Sequence, residues 1–311
     1  MIHVENLTKF YGDLCAVDGI NLDVRKGEIL GILGPNGAGK TTTLRMLTGF
    51  IRPTSGTIRI KDYTIENHSL EIRRLLGYLP ESAPLYHDML VYDYLSYVAD
   101  IRGVEKGRKH ARIREMADLC GLGEVMHKPM AELSKGYKQR VGLAHAMIRD
   151  PEILVFDEPT SGLDPNQIIE IREIMRHIGK EKTVVLSTHI LSEAEATCDR
   201  VVIINQGRIA ADGTMESLKQ SASGEYAIHL CLRNAAVEAV RKELGAVAGV
   251  KSVDTEEGEG AVVQVKLSCR SSGDLRPGLY ERIKQTDWIL LELYQERQSL
   301  ENIFQKLTLE N

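Results

Sequence analysis

Three clusters of polar residues in this chain fall where apolar runs break off, and their types point to phosphate chemistry. The first is Gly34-Pro35-Asn36-Gly37-Ala38-Gly39-Lys40-Thr41-Thr42, which ends the apolar run Ile29 to Leu33 and leads into Leu44 and Leu47 at helical spacing. Glycines at 34, 37 and 39 let the backbone curl until successive N–H groups converge on one anion. Lys40 adds a mobile cation for terminal phosphates, and Thr41 offers a hydroxyl to Mg²⁺. The helix that starts there turns its positive end to the same place. Gly-rich turns that bind nothing lack this context of strand, loop and helix; with it, the pattern reads as a nucleoside-triphosphate site.

The second cluster closes the apolar run Ile153 to Phe156 with Asp157 and Glu158. Acids at the C-terminal end of a buried strand lie on the edge where open α/β sheets take ligands. Asp157 can hold Mg²⁺ opposite Thr41. Glu158, one residue on, projects differently and can polarise a water in line with the γ-phosphate. The third is His189, which closes Val184 to Thr188 and places a ring N–H at the same edge. Alone, each of these reads as a solvated turn acid or a structural histidine. Beside a phosphate loop they read as a general base and a γ-phosphate contact.

The elements that must position these groups follow in chain order. His3 to Phe10 and Ile20 to Val24 alternate apolar and polar residues, as a hairpin at a sheet edge does, with Tyr11 at the turn. A strand is expected after Pro53 to Gly56, and a short one at Leu75 to Leu79. Residues 89 to 149 carry three-to-four spacing of apolar residues and read as a helical subdomain. Strands then alternate with helices up to a hairpin turn at Asn205 to Gly207. This order implies an α/β fold whose sheet is mostly parallel, with antiparallel additions. Lys219 to Glu225 is small and polar and reads as a linker, which divides the chain into residues 1–220 and 225–311. Beyond it, strand and helix signals run β-α-β-β-α-β, the split β-α-β (ferredoxin-like) plan of a small α+β domain, with Glu301 to Thr308 as a closing helix.

A chain of 311 residues with 43% hydrophobic content is large enough for two cores. A net charge of −5 argues against a dedicated nucleic-acid surface. The five cysteines form no C-x-x-C pair and no metal-ligand spacing, as expected of reduced thiols in a cytoplasmic protein. The opening residues read as no signal peptide. No segment approaches the ~20 apolar residues that cross a bilayer. Work at a membrane would therefore need a second, membrane-spanning chain.

Taken together, these motifs resemble the ATP-binding subunit of an ATP-binding-cassette (ABC) transporter over roughly Met1 to Leu218. GPNGAGKT resembles the Walker A loop, ILVFDE the Walker B strand, SGLD (with Asp164) the D-loop, and His189 the switch histidine. Tyr11 falls where the family stacks an aromatic ring on adenine. Leu133 to Arg140, LSKGYKQR, resembles the LSGGQ signature that separates this family from other P-loop proteins. Lys135 and Tyr137 replace its first glycine and its glutamine, whereas Ser134 and Gly136 are retained. Ser134 is also a candidate N-cap of a second phosphate-reading helix end, with Gly136 exposing backbone N–H groups. The resemblance implies a head-to-tail dimer with a second copy or a paralogous ATPase, in which Ser134 and Gly136 of one subunit close over ATP held by Lys40 of the other. Glu81 stands where the family has its Q-loop glutamine, so a carboxylate there would reach Mg²⁺ or water.

Glu81, Lys135 and Tyr137 are shared with a subset of ABC-2-type export ATPases of the gliding-motility and copper-site-maturation kind. The implied activity is ATP + H₂O → ADP + phosphate, coupled to a separate permease and peripheral on the cytoplasmic face of a membrane. Leu85, Tyr86, Met89 and Tyr92 are the expected permease contacts. A DNA-repair ABC ATPase would need a coiled coil between Lys40 and Ser134, where no sustained heptads appear. A translation factor would need two cassettes, and a nucleotide sensor would be expected to lack Glu158 or His189. An importer ATPase is the remaining alternative.

Overall fold

The computed structural model describes residues 1–221, 226–258, 261–270, 273–296 and 304. They form two compact units that divide between Met215 and Glu216. In the first, β1 (Ile2–Tyr11) and β2 (Leu14–Val24) form an antiparallel hairpin, followed by β3 (Ile29–Leu33) and α1 (Lys40–Leu47). β4 (Ser55–Ile60), β5 (Tyr63–Thr64), α2 (Ser69–Leu75) and β6 (Leu76–Leu79) come next. The helical segment contains α3 (Val91–Ile101), α4 (Lys106–Leu119) and α5 (Lys135–Met147). The unit then runs through β7 (Ile153–Asp157), α6 (Pro165–Gly179), β8 (Thr183–Thr188), α7 (Leu191–Thr197), β9 (Arg200–Asn205) and β10 (Arg208–Gly213).

A six-stranded sheet in the order β10-β9-β3-β8-β7-β6 carries the phosphate loop and both acids. It is parallel apart from the β9–β10 hairpin. A four-stranded antiparallel sheet, β2-β1-β4-β5, lies beside it. Side chains of β7 alternate between two cores: Ile153 and Val155 join the cluster shared with β1, β2, β4 and α1, whereas Leu154 and Phe156 join the cluster of α3, α4 and α5. Both faces of the strand are therefore covered, which is why its sequence is a continuous apolar run and not an alternation. The same split places Val184 and Leu186 of β8 on the helical side and Val185 on the other.

Two local results differ from the sequence expectation. Leu75 ends α2 and only Leu76–Leu79 are extended; with Ile72 alone buried, that helix leaves no periodic trace. Lys219–Ser221 belong to α8 (Met215–Ser221) instead of a linker, because Met215 and Leu218, one turn apart, are buried.

The second unit contains β11 (Tyr226–Arg233), α9 (Val237–Gly245), β12 (Val250–Gly258), β13 (Val262–Cys269), α10 (Arg276–Ile283) and β14 (Ile289–Gln295). Its sheet has the order β12-β13-β11-β14, antiparallel throughout. This is the split β-α-β arrangement. Ile228, Leu230 and Leu232 of β11 pack with Val240, Leu244, Leu279 and Ile283 of its helices. The turn at 259–260 and the expected closing helix lie outside the described residues, apart from Phe304, which is helical.

A polar relay ties the loop after β6 to α5. Tyr94 of α3 is within hydrogen-bonding distance of Nδ1 of His145 (2.6 Å) and of the Pro84 carbonyl (3.4 Å), and Arg102 lies 3.5 Å from Nε2 of His145. Burial and the Arg102 charge push His145 down to about 4, so it is neutral at pH 7. Arg102 can only donate, so Nε2 accepts, Nδ1–H donates to the Tyr94 oxygen, and the Tyr94 hydroxyl donates to Pro84. The unfolded chain, with an ordinary histidine near 6.5, takes up this proton first, so stability present above pH 6.5 is lost as pH falls toward 4. Between pH 7 and pH 5 the loss is about 2 kcal/mol. Urea denaturation at the two pH values should show it, and His145→Gln should remove most of the difference.

Candidate functional site

Gly34 to Gly39 leave β3 at the C-terminal edge of the sheet and turn into α1. Gly37 (φ +81°) and Gly39 (φ +105°) hold left-handed backbone, and a Cβ on Gly39 would lie 2.5 Å from the Ala16 carbonyl of β2. The loop is thus wedged against the hairpin. The Lys40 ammonium, buried, donates to the carbonyls of Gly34 (2.9 Å) and Pro35 (3.2 Å) and lies 3.2 Å from Oε1 of Glu158. Ala38 is buried, Asn36 is exposed, and Thr42 is half-buried on α1.

Asp157 ends β7 and is 1% exposed. Its Oδ1 accepts from Thr41 (3.0 Å) and Ser187 (2.7 Å), while Oδ2 has no hydrogen-bond partner among the described residues. Desolvation raises this carboxyl above the usual range, helped by the Glu158 charge and opposed by the Ser187 and Thr41 hydrogen bonds. A buried carboxylate oxygen without a donor, next to a threonine hydroxyl, is a fitting oxygen set for a hard divalent cation.

Glu158 sits in left-handed backbone (φ +49°), which side chains other than glycine rarely adopt. The turn aims its carboxylate back into the site: Oε1 meets Lys40, and Oε2 lies 2.8 Å from Nδ1 of His189. Its N–H donates to the Ser187 hydroxyl (2.9 Å). The His189 side chain is 42% exposed. Lys40, Glu158 and His189 thus form one continuous chain of polar contacts.

The other expected residues lie around this centre. Glu81 is exposed two residues beyond β6, whose neighbour in the sheet is β7. Tyr11, 45% exposed, ends β1 with the Lys9 ammonium 5.3 Å from its ring centroid. Ser134 is exposed and caps α5, accepting from the Tyr137 N–H at 3.4 Å. Gly136 does not present its backbone to solvent as expected. It is buried under the Gln167 side chain, and a Cβ there would lie 2.5 Å from that amide. Asp164 caps α6, accepting from the Gln167 N–H at 3.0 Å. Ser187 was missed in the sequence. Its signal, a serine inside VVLSTH, acquires meaning only once β7 and β8 pair in register, Asp157 beside Ser187.

Among the described residues no helix is long and apolar enough to cross a membrane, and no group of His, Cys, Asp or Glu side chains meets metal-cluster spacing.

A phosphate loop facing a strand-end acid pair across a parallel sheet defines a P-loop nucleotide-binding protein. Residues 17–161 match the ABC transporter family. The chain is 41% identical over 220 residues to the ABC transporter ATP-binding protein YxlF of Bacillus subtilis, covering 71% of this chain and 73% of that one. It is 31% identical over 309 residues to the linearmycin resistance ATP-binding protein LnrL of the same organism, covering 99% and 98%. It is 40% identical over 239 residues to the bacitracin transport ATP-binding protein BcrA of Bacillus licheniformis, covering 76% and 77%. Among solved structures, an ATP-binding subunit of an ABC transporter superposes with a TM-score of 0.66 at 30% identity, covering 79% of this chain and 99% of that one. A dimeric bacterial ABC transporter cassette gives 0.64 at 25% identity, covering 69% and 99%. The chain belongs to the ABC transporter ATP-binding family. It is an ATP-binding subunit and an ATPase.

Because the native Asp157 keeps its proton to higher pH than the unfolded chain does, stability falls as pH rises from the unfolded value through the raised one. Above that range the full cost of burying the charge is present. Asp157→Asn, which retains an Oδ1 acceptor for Thr41 and Ser187, should therefore melt a few degrees higher than the parent at pH 7 without ligand. The gain should shrink on acidification, as followed by calorimetry.

Proposed function

We propose that this ATPase drives a separate membrane permease, in the export direction, through ATP-dependent closure of a head-to-tail dimer. The observation that carries the catalytic part is the meeting of Lys40, Glu158 and His189 beside Asp157. In this reading residues 1–220 are the ATP-binding domain and 225–311 a small α+β domain. Lys40 and the N–H groups of Gly34 and of Asn36 to Thr42 receive the phosphates beside Pro35, and Tyr11 stacks on the base. Thr41 and Asp157 would hold Mg²⁺, with Glu81 at its outer side; when bound, the ion neutralises charge developing on the phosphate oxygens.

The ion pair between Lys40 and Glu158 gives the chemistry an order. A triphosphate competes with Glu158 for the Lys40 ammonium, and the carboxylate released from it is free to take a proton. Glu158 then accepts a proton from water as the water oxygen attacks the γ-phosphorus and ADP leaves. His189, hydrogen-bonded to Oε2 of Glu158, keeps the base oriented and presents its other ring nitrogen to the γ-phosphate. Ser134 of a second copy, with the α5 N-terminus behind it, would complete the pocket, and Asp164 would line the same seam. For Gly136 to reach phosphate there, the Gln167 side chain must move aside. Dimeric packing of a relative's cassette supports this assembly.

Permease docking is assigned to the loop after β6 and to α3. Of the four contacts expected from sequence, Leu85, Met89 and Tyr92 pack against the helical core, which leaves Tyr86 exposed. Leu90, Tyr97 and Ile101 of α3 or its start extend that exposed apolar surface. The names of two relatives, one for resistance and one for transport of antibiotics, support export.

Glu158→Gln should bind ATP normally, lose at least ~10²-fold in turnover and accumulate as a dimer on a sizing column. Unchanged turnover would remove the base assignment. Lys40→Ala should abolish nucleotide binding, measured with a fluorescent ATP analogue. Tyr97→Asp combined with Ile101→Asp should leave basal ATP turnover unchanged and release the chain from the membrane fraction of its host.

A further inference from the structure

Glu158 and His189 stand on loops that have just left the sheet. β7 and β8 are hydrogen-bonded up to the pair Asp157 and Ser187. Past that point the β7–β8 ladder stops, with Thr188 still paired to Leu33 of β3. No β7–β8 bond sets the spacing at Glu158 and His189, yet their side chains must meet at hydrogen-bonding distance. Two links cross the gap below the reacting groups. One is Ser187, which accepts from the Glu158 N–H. The other is Glu193, in the first turn of α7. Its Oε2 accepts from the Thr160 hydroxyl at 2.6 Å and from the Thr188 hydroxyl at 2.9 Å. Thr160 lies two residues after Glu158, and Thr188 immediately precedes His189.

Both threonines are buried, at 4% and 1% exposure, so their hydroxyls have no solvent alternative. The Thr188 oxygen also accepts from the Ile190 N–H at 3.0 Å, which turns the backbone around His189. Charge-assisted hydrogen bonds of this kind are the stronger class, and a buried hydroxyl left without one is costly. Oε1 of Glu193 has no partner among the described residues, so the carboxylate acts through a single oxygen that both loops share.

We propose that Glu193 is a positioning residue of the ATPase site, clamping the loop after Glu158 to the loop that carries His189. Its work is to keep the His189 ring within reach of Oε2 of Glu158. The proposal rests on the assignment of Glu158 and His189 to catalysis. Displacement of a reacting group by about 1 Å can cost ~10²-fold in rate, and an unclamped loop end allows such a displacement.

Steady-state ATP hydrolysis by the full chain tests this. Glu193→Ala should lower kcat by about 10–100-fold with the affinity for a fluorescent ATP analogue unchanged. Glu193→Gln, whose carbonyl can still take both hydroxyls, should recover most of that loss. Thr160→Val and Thr188→Val each cut one end of the clamp, so each alone and the two together should reduce kcat by the same factor. Multiplying losses, weakened ATP affinity in step with kcat, or a wild-type kcat for Glu193→Ala would each overturn the proposal. Should Glu193→Ala fail to fold, the threonine pair decides by the same criterion. Normal turnover of Glu158→Gln and His189→Ala would instead defeat the catalytic assignment on which the clamp depends.

Discussion

The structure turns on one buried carboxylate. Asp157 ends a strand covered on both faces, so its charge sits where water cannot reach it, and two hydroxyls, from Thr41 and Ser187, with the Arg45 charge beyond them, offset part of that cost. Each hydroxyl comes from a different neighbouring element: Thr41 from the helix after β3, and Ser187 from β8. Holding the acid therefore holds three elements in register at one edge of the sheet. An acid raised by desolvation and short of one donor is costly by itself, and in the proposed function a bound cation would supply what it lacks.

Around that acid the protein places charges that neutralise one another. Lys40 would be costly to bury alone. It is shared by the loop carbonyls of Gly34 and Pro35 and by Glu158. Glu158 reaches both Lys40 and His189 because its backbone takes a left-handed turn directly after the strand. In the extended continuation, alternation would send the side chain to the opposite face from Asp157. Local strain at one residue thus converts two sequential acids into two groups with different surroundings.

The helical segment is joined to this edge by polar links as well as by its core. The chain Arg102–His145–Tyr94–Pro84 connects α5 to the loop after Glu81. Arg140 of α5 pairs with Glu170 of α6, and Gln167 of α6 covers Gly136. The start of α5 and the segment from Ser161 to Gln167 are therefore in direct contact within one copy. In the proposed dimer, a nucleotide held by the partner copy would meet Ser134 on a surface already braced from below.

Much of this was legible in the residues alone. A loop that must wrap a phosphate needs glycines at fixed offsets, strands buried on both faces need unbroken apolar runs, and both demands are local. Gly34 to Thr41, Asp157, Glu158, His189 and the alternating order of strands and helices were therefore determined by sequence. The short helix α2, with a single buried Ile72, and the helix at Lys219–Ser221 left too little periodicity to read. Only the tertiary structure decided the remainder, because it depends on pairings across the chain: that Ser187 faces Asp157, that Lys40 is held by Glu158, that Gln167 shields Gly136, and that one oxygen of Glu193 gathers Thr160 and Thr188. Hydrogen-bond partners far apart in the chain are chosen by sheet register and packing, and no spacing rule along the chain encodes them.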